Sequence, residues 1–144
     1  MKKIQKILFI SLLVSIAFSA VGQEKSTLPK EKTALLIIDV QMFYFPGGQV
    51  PLVHPEKTSL NIKKLLYAFR ENNMEVIHIR HDVSKNGAIH PNVKPLDNEK
   101  VITKSEANSF NGTELDEYLK AHKISDLVIT GMQTHMCVEA TTRA

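Results

Sequence analysis

The sequence has few of the features that mark disulfide-rich, nucleic-acid-binding or membrane-spanning proteins. Its 144 residues include one cysteine and no tryptophan, so a framework of internal disulfides is excluded. The formal net charge of +3 comes from the N-terminus, since residues 1–32 carry +4 and residues 33–144 carry −1. The body of the chain therefore has no basic excess, and we expect no nucleic-acid partner. The apolar content of 43% and charged content of 23% are typical of a globular domain.

Residues 1–22 have the pattern of a secretory signal peptide. Three lysines precede an apolar run over residues 7–18, and small residues follow it as far as Gly22. The run is shorter than the roughly 20 residues that span a bilayer, which favours cleavage after Gly22, or alternatively after Ala20, over a retained membrane anchor. We therefore predict a signal peptide at 1–22, a polar linker at 23–32, and a periplasmic or secreted protein without a stable membrane anchor.

The rest of the chain alternates between strand and helix patterns. Apolar runs predict strands at 34–39, 75–80, 101–103 and 126–130, and continuous runs of this kind are typical of parallel sheets that are buried on both faces. Apolar residues at helical spacing predict a helix within 56–72. A capping box formed by Thr113 and Asp116 predicts a second helix, and a third is expected from Thr134. This order predicts an α/β fold with a parallel sheet between two helical layers.

Three polar residues follow predicted strands, at the sheet edge where such folds place their sites. They are Asp39, Lys104 and Cys137. Taken singly, they are a turn cap, a surface charge and a small buried hydrophobic residue, but their shared location favours a site. Cys137 also falls in the first turn of the predicted third helix. Free N–H groups and the helix dipole there would stabilise a thiolate or an oxyanion.

Three blocks of sequence resemble the isochorismatase-like cysteine hydrolases, which include nicotinamidases and N-carbamoyl amidases. The first block joins Leu36–Gln41 to Phe45–Gly48, the second joins Lys104 to Asn108–Leu115, and the third is Leu127–Ala144. The resemblance implies a three-layer, Rossmann-like hydrolase domain at 33–144. It also implies that the last strands and helices are missing, so we expect this domain to be incomplete at its C-terminus. The resemblance further implies a homo-oligomer.

The resemblance implies that Asp39, Lys104 and Cys137 form a catalytic triad that cleaves a C–N bond of a small amide, carbamoyl or ureido compound. Asp39 would take the thiol proton, and Cys137 would attack the carbonyl carbon to form a thioester. Lys104 would stabilise both anions. The family's oxyanion hole lies at a cis peptide bond before the cysteine, which here implies a role for Met132, Gln133 and the N–H of Cys137.

Three other residues are candidates to line the substrate pocket. They are Phe45, Phe110 and His135, although loop aromatic residues also fold back onto cores and His135 could simply begin a helix. No metal or other cofactor is expected. Metal-dependent nicotinamidases carry an Asp-x-His pair near the second strand, whereas His81 and Asp82 are adjacent here. His78 is more typical of a hydrogen-bonded core histidine.

Two other functions are compatible with the same scaffold. One is an isochorismatase-type vinyl-ether hydrolase, whose chemistry does not need the thiol of Cys137. The other is a redox or binding protein without catalytic activity, since an exposed and activated thiol is easily oxidised.

Overall fold

The computed structural model describes residues 29–144. The predicted signal peptide at 1–22 and most of the predicted linker at 23–32 lie outside the described residues. Within residues 29–144, none of the helices has the combined length and apolar character that a membrane span requires.

A parallel sheet of four strands forms the centre of the described domain, in the order β3-β2-β1-β4. The strands are β1 (Thr33–Ile38), β2 (Glu75–His81), β3 (Lys100–Lys104) and β4 (Asp126–Gly131). The helices are α1 (Pro55–Glu71), α2 (Leu115–Ala121) and α3 (Glu139–Thr142). This arrangement confirms the predicted α/β fold.

Strand β1 is one of the two inner strands of the sheet and separates two apolar cores. All six of its residues are buried, and because side chains alternate along a strand they enter both layers. Leu35 and Ile37 pack in a cluster that includes α1 residues. Leu36 and Ile38 pack in a second cluster that includes α2 residues and Cys137. This packing fixes the direction of β1 and therefore the position of the residue that follows it.

Two helix starts differ from the sequence prediction. The Thr113 hydroxyl accepts a hydrogen bond from the N–H of Leu115 at 3.2 Å, but Asp116 pairs with Lys120 at 2.5 Å. The predicted return contact from the Asp116 side chain to the backbone of Thr113 is therefore wrong, because Lys120, four residues later, competes for the Asp116 carboxylate.

The predicted helix from Thr134 begins instead as a π-helical turn over Thr134–Val138. The carbonyl of Gln133 accepts hydrogen bonds from the N–H groups of both Met136 and Val138, at 3.1 and 3.3 Å. This wider turn, without a side-chain cap from the residue before it, carries Cys137. Regular α-helix begins only at Glu139.

Candidate active site

The structure brings the three residues of the predicted triad together at the carboxyl end of the sheet. Asp39 follows β1 directly, Lys104 is the last residue of β3, and Cys137 lies in the turn after β4. Nζ of Lys104 is 2.8 Å from Oδ2 of Asp39, and both side chains are 0% exposed. The Cys137 sulfur lies within 4.8 Å of an Asp39 carboxylate oxygen. A carboxylate, an ammonium group and a thiol therefore share one buried cluster.

The backbone at the ends of β1 and β4 is specialised to hold this cluster. Asp39 adopts a left-handed conformation with φ of 51°, which is uncommon for a residue other than glycine and typical of functional sites. Gly131 lies beside Ile38 in the sheet and has φ of 141°. A Cβ atom at this glycine would lie 2.0 Å from the Ile38 carbonyl oxygen. Glycine is therefore required for the close approach of β4 to β1.

The ammonium group of Lys104 is held by three polar contacts. Nζ lies 2.8 Å from Asp39 Oδ2, 3.2 Å from Nδ1 of His81 and 3.0 Å from the carbonyl oxygen of Glu106. The contacts with His81 and Glu106 are hydrogen bonds, and the contact with Asp39 is an ion pair. Lys104 is thereby fixed as a charge beside the carboxylate.

Asp39 has fewer hydrogen-bond partners than Lys104. Among the described residues, no donor makes a hydrogen bond of good geometry to either of its carboxylate oxygens. The close contact with Lys104 therefore compensates its charge mainly through electrostatic attraction. Lone pairs of the carboxylate are left to accept a proton from a neighbouring thiol or water.

The surroundings of Cys137 affect how easily its thiol ionises. Burial raises its pKa, the adjacent Asp39 carboxylate raises it further, and Lys104 offsets part of the rise. The 6% exposure of Cys137 and the neighbouring negative charge both disfavour a second anion. Stabilisation of a thiolate by a helix N-terminus stays a prediction, and this rise in pKa works against it. Asp39 is placed to accept the proton when the thiol reacts.

The residues predicted to form the oxyanion hole lie at a cis peptide bond. The bond between Met132 and Gln133 is cis. Met132 is buried in the apolar cluster that contains Leu35, Ile37 and residues of α1. The turn that carries Cys137 follows immediately. The oxyanion role of these three residues stays a prediction.

The three predicted pocket residues lie in different surroundings. Phe45 is 1% exposed and stacks on His90 with ring centroids 3.8 Å apart. Phe110 is half-buried and packs against the apolar cluster that contains residues of α2 and Cys137. His135 is exposed and lines a cavity of about 260 Å³ with Gln133 and residues of the loop before α1. Their contact with a substrate stays a prediction.

Two residues near the site were missed by the sequence analysis. Burial raises the pKa of Tyr44 to about 12, and the charges of Cys137 and Asp39 contribute to that rise. No sequence pattern distinguishes Tyr44 from its phenylalanine neighbours. His81 ends β2 and has a ring nitrogen within 4.8 Å of the reactive atoms of Asp39 and Cys137. Applying the strand-end rule to β2 would have identified it.

The donor atoms of Asp39, His81 and Cys137 are close enough together to ligate a metal ion. However, the Lys104 ammonium already contacts the Asp39 carboxylate and the His81 ring. A divalent cation would have to displace this charge or lie against it. The expectation that no metal is bound stays a prediction, which the position of Lys104 supports.

Comparison with known proteins identifies relatives of the whole described domain. A sequence model of the isochorismatase domain matches residues 33–144. The uncharacterized isochorismatase family protein YddQ of Bacillus subtilis is 42% identical over 123 residues, which cover 78% of this chain and 68% of that protein. A ureidoacrylate amidohydrolase, RutB of Cronobacter sakazakii, is 26% identical and covers 83% of this chain and 71% of that protein. The chain spans about two thirds of the length of the curated relatives it matches.

Solved structures show the same fold. An isochorismatase from Pseudomonas putida superposes with a TM-score of 0.75 at 30% identity, over 85% of this chain and 67% of that one. The N-carbamoylsarcosine amidase of Thermoplasma acidophilum superposes with a TM-score of 0.70 at 21% identity, over 78% of this chain and 74% of that one. At that identity, the second match shows the fold alone.

Proposed function

The chain belongs to the isochorismatase family of hydrolases, and we propose that it cleaves a C–N bond of a small amide, carbamoyl or ureido compound. One observation carries the proposal: Asp39, Lys104 and Cys137 meet in a buried cluster in which the thiol lies beside an ion-paired carboxylate. This arrangement combines a nucleophile, a proton acceptor and a fixed positive charge.

The first half of the reaction forms a thioester. Asp39 takes the proton of the Cys137 thiol as the sulfur attacks the carbonyl carbon, and the carbonyl oxygen becomes an oxyanion. Collapse of this intermediate breaks the C–N bond, and Asp39 gives its proton to the departing ammonia or amine. Lys104 keeps its three protons throughout, since its role is to stabilise the negative charge that moves between Asp39 and Cys137.

The second half of the reaction releases the acid. Asp39 takes a proton from water as the water oxygen attacks the thioester carbon, and the C–S bond then breaks. Cys137 leaves as a thiolate and recovers the proton from Asp39. We assign the oxyanion in both halves to backbone N–H groups of Gln133 and Cys137.

A C–N bond is favoured over a vinyl ether for two reasons. A thiol beside a proton acceptor is the machinery of acyl transfer, which vinyl-ether hydrolysis does not need. The similar proteins include a ureidoacrylate amidohydrolase. For this protein we propose small-molecule substrates rather than nucleic acid, a homo-oligomeric assembly, and export to the periplasm or the medium.

Ammonia release tests the proposal. The full chain is incubated with nicotinamide, N-carbamoyl amino acids and ureido acids, and pyruvate release from isochorismate is measured in parallel. We expect ammonia from at least one of the nitrogen compounds and no pyruvate. Cys137→Ala and Asp39→Asn should each reduce that activity by about 1,000-fold or more. Met136→Leu is the matched control, because Met136 is a half-exposed neighbour of the nucleophile.

Three outcomes would contradict the proposal. Pyruvate without ammonia would identify the vinyl-ether reaction. Ammonia release that persists in both the Cys137→Ala and Asp39→Asn variants would exclude these residues as the catalytic groups. Failure of the full chain to release ammonia from every compound would exclude the proposed substrate classes.

A further inference from the structure

His81 lies within the proposed catalytic cluster, yet the reaction described above assigns it no step. It is the last residue of β2 and is paired with Lys104 of β3 in the sheet register. Its Nδ1 atom is 3.2 Å from Nζ of Lys104. His81 is therefore the neighbour of one member of the triad, and its contact is with the ammonium group.

The backbone of His81 is held by an unusual buried side chain. Gln41, which is 0% exposed, accepts a hydrogen bond from the His81 N–H at 2.7 Å. Its amide nitrogen donates to the carbonyl oxygens of His81 at 3.0 Å and of Gly87 at 2.6 Å. In addition, the N–H of Asp82 donates to the Lys104 carbonyl at 2.8 Å. The backbones of His81 and Lys104 are thus fixed relative to each other.

The contact makes the imidazole a hydrogen-bond acceptor. An ammonium group can only donate hydrogen bonds, so Nδ1 of His81 accepts. His81 and the Glu106 carbonyl then accept two of the Lys104 protons, and Nζ lies 2.8 Å from the Asp39 carboxylate. Without the imidazole, a buried N–H would lose its acceptor, and the long side chain could move away from Asp39.

We propose that His81 is a positioning residue whose imidazole holds the Lys104 ammonium group against the Asp39 carboxylate, beside the thiol of Cys137. The inference rests on the proposed function, because it gives His81 a part in activating that thiol. The imidazole acts through Lys104 and need not touch the substrate. Since Lys104 lowers the pKa of the Cys137 thiol, loss of its position makes the thiolate harder to form.

The pH dependence of alkylation at Cys137 tests this role without any substrate. The chain has one cysteine, so every iodoacetamide adduct on the full chain reports on that thiol. We compare wild type with His81→Leu, which removes the acceptor, and His81→Asn, whose Oδ1 can occupy the place of Nδ1. We expect the alkylation midpoint to rise by about one pH unit in His81→Leu and to return close to wild type in His81→Asn. His122→Leu is the control for loss of an exposed histidine.

Two outcomes would overturn the inference. One is a His81→Leu midpoint equal to that of wild type, which would mean that Lys104 stays in place without the imidazole. The other is an equal shift in His81→Leu and His81→Asn, which would point to a loss of packing. If His81→Leu fails to fold by far-UV circular dichroism, His81→Gln replaces it. The acceptor oxygen of glutamine lies one bond farther from the backbone than Nδ1 of histidine. The alkylation midpoint of His81→Gln must therefore exceed that of His81→Asn.

Ammonia release separates this inference from the proposed function. With a substrate of the wild-type protein, kcat should fall in His81→Leu and recover in His81→Asn. If the wild-type chain releases no ammonia, the proposed function fails while the alkylation result still decides the role of His81. If ammonia release is normal and the midpoints do not differ, the inference about His81 fails alone.

Discussion

Replacing Lys104 with methionine should destabilise the protein far more than the change in side-chain size implies. The substitution keeps an unbranched stem of similar volume, so the packing loss is small. It leaves the Asp39 carboxylate 0% exposed and without its partner at 2.8 Å. Among the described residues, no hydrogen bond of good geometry compensates the remaining charge. Removing one partner of a buried ion pair costs about 3–5 kcal/mol, and we expect a loss in this range.

Replacing the other partner, Asp39, should destabilise the protein less. Lys104 has other hydrogen-bond acceptors, whereas Asp39 has no hydrogen-bond donor among the described residues. In Asp39→Asn, the Lys104 ammonium keeps the His81 ring nitrogen and the Glu106 carbonyl as acceptors. We expect a loss of about 1–3 kcal/mol, the cost of one impaired buried polar contact. The double variant carries neither buried charge. It should therefore be more stable than Lys104→Met alone, by roughly 2 kcal/mol.

Urea unfolding of the full chain at pH 7 measures these differences. The sequence contains no tryptophan, so far-UV circular dichroism is the appropriate signal. The reasoning would be refuted by a loss below about 1 kcal/mol in Lys104→Met. It would also be refuted if the losses of the two single variants simply added in the double variant, since residues in one ion pair are expected to be coupled.

Two further predictions concern Glu99, which precedes β3, and Gly131 at the end of β4. Burial acts to raise the pKa of Glu99, but hydrogen bonds from Arg70, the Leu96 N–H and His78 lower it to about 2. A carboxyl group with a lowered pKa in the folded state stabilises the fold above its ordinary pKa and loses this effect as the pH falls. The free energy of unfolding should therefore drop by about 3 kcal/mol between pH 5 and pH 2, and urea unfolding of Glu99→Gln should show a weaker acid dependence. Gly131→Ala should destabilise the fold by about 3 kcal/mol or more, since its Cβ would lie 2.0 Å from the Ile38 carbonyl oxygen; thermal unfolding close to wild type would contradict this.

The fold was predictable because the signals that define it are local. Strand β1 is a continuous apolar run, and the structure buries all six of its residues. The end of such a run marks the carboxyl edge of a parallel sheet, where sites lie. That rule led from the sequence to Asp39, Lys104 and Cys137, and the structure brings them together. The resemblance supplied their roles as a catalytic triad.

The parts that could not be predicted depend on contacts between distant segments. The hydrogen bonds from Gln41 to the His81 backbone join residues 40 apart in the chain. The contact between His81 and Lys104 follows from the register of β2 with β3, which no local pattern encodes. The raised pKa of the Cys137 thiol results from burial and a neighbouring carboxylate, whereas its sequence context suggested only a helix terminus. Electrostatic properties of a site therefore required the tertiary structure.

Trapping of the thioester tests the central claim most directly. The full chain is mixed with a compound from which it releases ammonia, quenched in acid within the first turnover, and analysed by intact-protein and peptide mass spectrometry. The account predicts one added acyl group per chain, located on the peptide that contains Cys137, together with one equivalent of ammonia. Ammonia release at the wild-type rate by Cys137→Ala, with no acyl group on the wild-type cysteine, would contradict it.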